Sequence, residues 1–155
     1  MNAEVVYHTP YLKNKEEGEA KTLVDHNYGI NWSIDKNWQR FKAPEVAFDL
    51  VFENEIEAES VRMNFMQMAI LGVYMPSEIS ILGSEDGKTF TNLAHQSLQE
   101  PSMQQGRYIH RSKIDFSKTK LKAIMVKLKA VNPIYPEHHL EGALSKIYID
   151  EVVVL

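Results

Sequence analysis

The sequence predicts an all-β fold of short antiparallel strands, arranged as a sandwich or a barrel. Several stretches alternate between apolar and polar residues, as strands with one buried face do. These stretches recur at roughly regular spacing between turn residues, whereas the periodicity of helices is weak. The pair Asp86-Gly87 suits a tight turn and predicts a hairpin between two of the stretches.

Seven or so stretches account for the predicted strands. In the first, Val46, Phe48 and Leu50 fall on one face and polar residues alternate with them. Pro76 precedes the third, at a place where proline can begin a strand but not continue it. The stretches are Glu45–Phe52, Ser60–Phe65, Glu78–Leu82, Thr89–Ser97, Arg107–Phe116, Ala123–Ala130 and Lys146–Val154.

Composition narrows the possible functions. The 155 residues fit one domain with its own core. The net charge is −4 with acids and bases interspersed, which argues against a nucleic-acid partner. The densest basic run, Lys118–Lys129, is interpreted as the solvated side of a strand. There is no cysteine, so disulfides, a thiol nucleophile and thiolate metal sites are excluded.

Three long segments lack the strand alternation and are rich in aromatic residues and histidine: Asp25–Pro44, Gln67–Pro76 and Val131–Lys146. Long loops in a compact domain usually carry function. Trp38 and Phe41 are expected to close the end of the sandwich. Aromatic faces can stack on sugar rings while polar side chains bind the hydroxyls. The residues expected to contact a ligand are Trp32, Gln67, Tyr74, Tyr135 and His138.

Sequence motifs for catalysis are absent, including G-x-S-x-G, Walker-type, H-E-x-x-H and dinucleotide fingerprints. The run Glu137–Glu141 contains two histidines and two glutamates, which could suit zinc. Adjacent histidines rarely reach one ion, so a loop that caps the core or touches a ligand is preferred. The turn Asp25–Gly29 offers oxygen ligands for calcium, although such stretches are also common plain turns.

Five segments, spread over the whole chain, resemble coagulation-factor-type (discoidin) domains, also called galactose-binding-like domains. Tyr7–Phe41, with Leu23-Val24-Asp25 and Trp38, resembles their opening turn and tryptophan loop, and Phe48-Asp49-Leu50 resembles the strand that follows. Pro76–Phe90 is similar to their most specific segment, P-x-x-v-x-v-x-x-S-x-D-G-x-x-F. Tyr148–Val154 resembles their closing D-E-I-x-V strand. Asn132–Gly142 looks most like domains appended to bacterial beta-hexosaminidases (chitobiases).

The resemblance implies an eight-stranded antiparallel jelly-roll sandwich, with ligand-binding loops at one end. It also implies a structural calcium, held by carboxylates of Asp25 and Glu151 and by side-chain oxygens of Asn27 and Ser33. The family usually has glycine after the aspartate, whereas this chain has His26. A bulkier residue at that turn changes the geometry around the expected ion.

The function implied by the resemblance is that of a non-catalytic carbohydrate-binding module. Residues 1–155 are interpreted as one domain of a larger chain, which agrees with the lack of a signal peptide at Met1. The resemblance alone implies that this larger protein is periplasmic or extracellular. The module would hold an attached glycoside hydrolase on N-acetylhexosamine- or galactose-containing glycans. One alternative is a structural domain that packs on its catalytic neighbour. Another is a protein- or phospholipid-binding module with Met66–Tyr74 as its apolar tip, although no basic ring accompanies that tip.

Overall fold

The computed structural model describes residues 2–13, 23–30, 35–98, 106–134 and 138–155. Within them the chain forms seven strands and one short 3-10 turn, Ala69–Leu71. No helix in these ranges is long and apolar enough to cross a membrane. The all-β prediction is confirmed. The strands are β1 (Ala3–Tyr7), β2 (Gln39–Phe41), β3 (Glu45–Met68), β4 (Glu78–Ser84), β5 (Thr91–Ser97), β6 (Arg107–Lys129) and β7 (Ile147–Val154).

Strands β3 and β6 are long enough to belong to both layers of a sandwich. They pair antiparallel along most of their length, with a register shift between Val51 and Ile56. On one side of the shift, β1 pairs with β3, β4 pairs with β6, and β5 pairs with β4; we call this the first sheet. On the other side, β7 pairs with β3 and β2 pairs with β7; this is the second sheet. Glu45–Phe52 and Ser60–Phe65, predicted as two strands, are therefore parts of one.

The main core lies between the two sheets, where alternate side chains of both point inward. One buried cluster takes residues from both halves of β3: Val46, Phe48, Leu50, Val61, Met63 and Phe65. Phe41 of β2 belongs to the same cluster, so its predicted burial is confirmed. The antiparallel sandwich that the sequence predicts is thus present, with a strand count close to the expected eight.

A second buried cluster covers the outer face of the second sheet. Trp38 packs there with Met66 and Tyr148. Met66 follows Phe65, and Tyr148 precedes Ile149; Phe65 and Ile149 both face the core. Because neighbours on a strand point to opposite faces, Met66 and Tyr148 lie on the outer face. The predicted burial of Trp38 is confirmed, but this side chain lies on the outside of a sheet rather than across the end of the sandwich.

The predicted β4–β5 hairpin is confirmed, and its turn is held by local contacts. The Asp86 carboxylate accepts hydrogen bonds from the Ser84 hydroxyl and from the Lys88 and Thr89 N–H groups, at 2.7–2.9 Å. The Thr89 and Lys88 bonds favour the charged form and hold the pKa of Asp86 below its ordinary value. Gly87 takes the left-handed φ of 77° that the turn requires.

Both ends of the chain pair with the stretch where β3 crosses between the sheets. The Glu53 N–H donates to the Asn2 carbonyl at 3.5 Å. The N–H groups of Glu59 and Ser60 donate to the Leu155 carbonyl at 2.7 and 2.9 Å. The two ends therefore meet at the end of the sandwich remote from the loops that follow β3 and β6.

Candidate functional site

Two of the three predicted loops meet where β3 ends and β7 begins. Val73 forms an isolated bridge with Lys146, and the Lys146 N–H donates to the Gly72 carbonyl at 2.8 Å. These contacts join the segments 69–77 and 130–146 into one surface. We call the described residues of these two segments the loop end.

The structure corrects the expectation that Gln67 and Tyr74 contact a ligand. Both residues are fully buried. The Gln67 Oε1 accepts the Met75 N–H at 3.3 Å, and the Tyr74 ring packs with Val131 and Ile134. The 130–146 segment covers them, so they fill the loop end from inside and offer no face to a sugar.

His138 is also buried, with 7% of its surface exposed. The Leu140 N–H donates to its Nδ1 at 2.9 Å, so Nδ1 acts as an acceptor. The Nε2 therefore carries the proton that bonds to the Ala69 carbonyl, 2.7 Å away. His139 stacks on the ring with 4.4 Å between centroids. Because both ring nitrogens of His138 hold the loops together, this residue caps the core, which is one of the two roles preferred for the run, and the expected ligand contact is corrected.

Three expected site residues, Trp32, Ser33 and Tyr135, lie outside the described residues, and their roles stay predictions. The loop end does expose Ile70 and Leu71 on the 3-10 turn, at 70% and 41%. These two side chains are the apolar tip expected in Met66–Tyr74.

The expected calcium residues lie in a network held by backbone N–H groups. Asp25 Oδ1 accepts the Asn27 N–H at 2.9 Å. The buried Glu151 carboxylate accepts the His26 N–H at 3.1 Å through Oε2, and its Oε1 lies 3.5 Å from the His26 Nδ1. Both oxygens of Glu151 thus already face His26.

The described residues do not fit the calcium site that the resemblance implies. His26 occupies the glycine position with a left-handed φ of 62°, uncommon for a residue with a side chain. Its imidazole and N–H face the Glu151 oxygens that a cation would need. Calcium takes six to eight oxygen ligands. The ranges that the structure describes hold no group of three or more His, Cys, Asp or Glu side chains able to bind a metal.

We expect the unfolding temperature of the chain to be the same in millimolar calcium and in EDTA, because His26 already contacts both Glu151 oxygens. In the variant H26G the imidazole is gone and the turn regains the residue that favours positive φ. Calcium is then expected to raise the unfolding temperature of H26G more than that of the unchanged chain. Differential scanning calorimetry measures both; a calcium-dependent rise in the unchanged chain would contradict the expectation.

One group of cations was missed by the sequence-based prediction. Phe41 and Ile147 face the core, so the flanking Arg40, Lys42 and Lys146 point to the outer face of the second sheet. We call these three residues the basic edge. In the sequence, the only indication of the basic edge is that polar and apolar residues alternate over Gln39–Lys42. That stretch is too short to be recognised as a strand.

A recess of about 290 Å³ lies beside the β4–β5 turn, lined in part by Gly83, Asp86, Leu93 and Leu121. That turn follows β4, whereas the 69–77 loop precedes it. The recess is therefore at the opposite end of the sandwich from the loop end and contains none of the residues expected to bind a ligand.

No protein-family model matches this chain, and no curated protein matches it. The chain aligns over 99% of its length with CpGH89CBM32-5 from Clostridium perfringens, covering 94% of that chain at 14% identity and a TM-score of 0.64. The chain has the fold of a CBM32 module. A similar match, over 98% of this chain and 93% of the other, joins it to the CBM32 of AlyQ at 12% identity and a TM-score of 0.56.

A third match is a pectin binding carbohydrate binding module, at 17% identity and a TM-score of 0.56, over 97% of this chain and 88% of the other. The discoidin-type, galactose-binding-like fold that the sequence resemblance implied is confirmed by these CBM32-like structures. At such low identities, the likeness establishes the fold and leaves the ligand to be argued from the residues.

Proposed function

We propose that this chain is a non-catalytic carbohydrate-binding module that holds an attached catalytic domain on glycans. The observation that carries this proposal is the likeness of fold, along nearly the whole chain, to modules seen with sugars. CpGH89CBM32-5 is in complex with GalNAc-beta-1,3-galactose, and the AlyQ module is in complex with 4,5-unsaturated mannuronic acid. These ligands include both neutral and acidic sugars.

A module of this kind contributes by raising the effective concentration of its catalytic partner at the substrate. The attached domain in this proposal is a glycoside hydrolase, such as a beta-hexosaminidase, in the periplasm or outside the cell. The resemblance of Asn132–Gly142 to hexosaminidase-associated domains supports that assignment. The buried carboxylates of Asp150 and Glu151 accept backbone N–H groups of the 23–30 segment, so they support a loop rather than face a substrate.

NMR titration of the isotope-labelled chain tests this function. The ligands are GalNAc-beta-1,3-galactose, chitobiose, galactose and an oligogalacturonate, each at millimolar concentration. Saturable shifts confined to the loop end, to the basic edge or to the neighbouring segments are the expected result. The absence of shifts with all four ligands would overturn the proposal.

A second candidate function is docking of the loop end on a neighbouring domain, favoured by the exposed Ile70 and Leu71. In that case the double variant I70S/L71S disrupts association with the catalytic domain. If the chain binds glycans through another surface, the same variant leaves the sugar-induced shifts unchanged. Comparing the two readouts separates docking from sugar binding.

A further inference from the structure

We propose that the basic edge, formed by Arg40, Lys42 and Lys146, binds the carboxylates of an acidic glycan, that is, a chain containing uronic acid residues. This inference rests on the proposed function and names the ligand class of the module. It assigns recognition to the outer face of the second sheet beside β2, where none of the described contact residues predicted from the sequence lies.

The pairing of β2 with β7 brings the three cations together. Phe41 pairs with Ile147, and continuing that register by one residue places Lys42 opposite Lys146. Side chains directly opposite each other have Cβ atoms about 5 Å apart. Arg40 lies two residues before Lys42 on the same face, about 7 Å along the strand. The three charges therefore form a flat group rather than the lining of a pocket.

The three cations are near enough to influence one another. Burial lowers the pKa of Lys146, and the positive charges of Lys42 and Arg40 lower it further. The whole chain carries a net charge of −4, so this local concentration of positive charge runs against the overall balance. Like charges held together repel. An anion bound between them would relieve this repulsion.

One of the cations is held in place before any ligand arrives, and the backbone that carries a second one is fixed. The guanidinium carbon of Arg40 lies 5.3 Å from the centroid of the Tyr148 ring, within the range of a cation–π contact. The Lys146 backbone donates to Gly72 at 2.8 Å and accepts from Tyr74 at 3.0 Å. Groups positioned in this way lose less freedom on binding. The planar guanidinium also matches the two oxygens of a carboxylate.

The shape of the basic edge favours an extended polyanion over a compact one. Its residues project from one face of two paired strands, and the backbone positions of Arg40 and Lys42 are about 7 Å apart. The aromatic residues beneath it, Trp38 and Tyr148, are buried, so charge and hydrogen bonding dominate rather than stacking. Among extended polyanions, a polyuronate agrees with the proposed glycan binding. The negative overall charge disfavours a nucleic acid.

Calorimetric titration with two matched ligands tests this inference. One is an oligogalacturonate, and the other is its methyl ester, which has the same sugars without the negative charges. We expect the ester to bind at least about tenfold more weakly, the change that follows from losing one charge-assisted contact. Binding of the acid is also expected to weaken as sodium chloride is added.

The double variant K42Q/K146Q is expected to bind the acid at least about tenfold more weakly than the unchanged chain. The control K120Q/K122Q makes the same change of charge at exposed positions of β6, away from the basic edge, and should bind as the unchanged chain does. Thermal unfolding verifies that the variants are folded. Lys42 is exposed, so the single variant K42Q serves if the double variant fails to fold.

Equal binding of acid and ester, or unchanged binding by folded K42Q/K146Q, overturns the inference. If the double variant does not fold, unchanged binding by K42Q overturns it. Binding of GalNAc-beta-1,3-galactose without binding of the uronate leaves the proposed function standing and removes this inference alone. Binding of no glycan removes both. Phosphatidylserine vesicles and single-stranded DNA are tested as alternative polyanions. If the unchanged chain binds one of them and not the uronate, and K42Q/K146Q loses that binding, the basic edge binds another polyanion and the inference is overturned.

Discussion

Replacement of Trp38 by alanine is expected to lower the free energy of unfolding by about 3–5 kcal/mol, the range for removing a buried aromatic side chain. Trp38 is almost fully buried, and its ring packs on the outer face of the second sheet. Its Nε1–H donates to the Ile30 carbonyl at 2.7 Å. A Cβ on Gly29 would lie 2.2 Å from the indole, so the backbone of the 23–30 segment rests directly on the ring. Loss of the ring therefore removes both a buried surface and the support of a loop.

Urea unfolding followed by circular dichroism measures this change without relying on tryptophan fluorescence. The variant W38F keeps a ring but loses the bond to Ile30, and it should cost less than W38A. G29A probes the same contact from the other side and should cost about 1–3 kcal/mol through overpacking. A cost below about 1 kcal/mol for W38A would contradict the tight packing of this loop on the sheet.

Replacement of Asp150 by alanine should lower the free energy of unfolding by at least about 3 kcal/mol, since even one hydrogen bond to a charged group contributes about 1.5–3 kcal/mol. Asp150 is buried, and its Oδ2 accepts the Gly29 N–H at 3.0 Å and the Asn64 side-chain amide at 3.3 Å. Its Oδ1 accepts the Glu151 N–H. The variant leaves these donors without the carboxylate in a place where water is largely excluded.

Asp35 supplies a matched control for Asp150. It too accepts two backbone N–H groups, from Ile30 at 2.8 Å and Asn37 at 3.2 Å, but these bonds lie nearer to solvent. Water can replace them, so D35A should cost only about 1 kcal/mol, as for a turn-capping residue. Urea unfolding measures both variants. Equal losses of unfolding free energy in D150A and D35A would contradict the expectation that burial strengthens the Asp150 hydrogen bonds.

The features that the sequence predicted well are those whose causes are local. The turn at Asp86 depends on residues within three positions of it, and the burial of Phe41 follows from its type. The continuity of β3 was missed because Glu53–Glu59 is dominated by glutamate and interrupts the hydrophobic pattern. Pairing with β1, β6 and the end of the chain keeps that stretch extended, which no local pattern records.

The candidate site was harder to predict, because its burial depends on segments distant in sequence. In the sequence, Gln67 and Tyr74 have the side chains of exposed ligand contacts. In the structure, described residues of the 130–146 segment bury them. His138 has the side chain of a metal ligand, but its two nitrogens bind Ala69 and Leu140. The sequence also failed to indicate one feature that the structure has, because no basic ring was expected near the apolar tip. The Gly72–Lys146 contact brings one member of the basic edge beside that tip.

The position of the two chain ends has a consequence for how such a module operates. Asn2 and Leu155 both hydrogen-bond to the crossing of β3, remote from the loop end. Any polypeptide attached at Asn2 or Leu155 would leave the domain on that side, and the loop end would stay clear of it. A pull exerted through both attachments acts first on β1 and β7, which can peel from β3 one hydrogen bond after another. Mechanical load would thus reach the strands at the points of attachment before it disturbs the loop end.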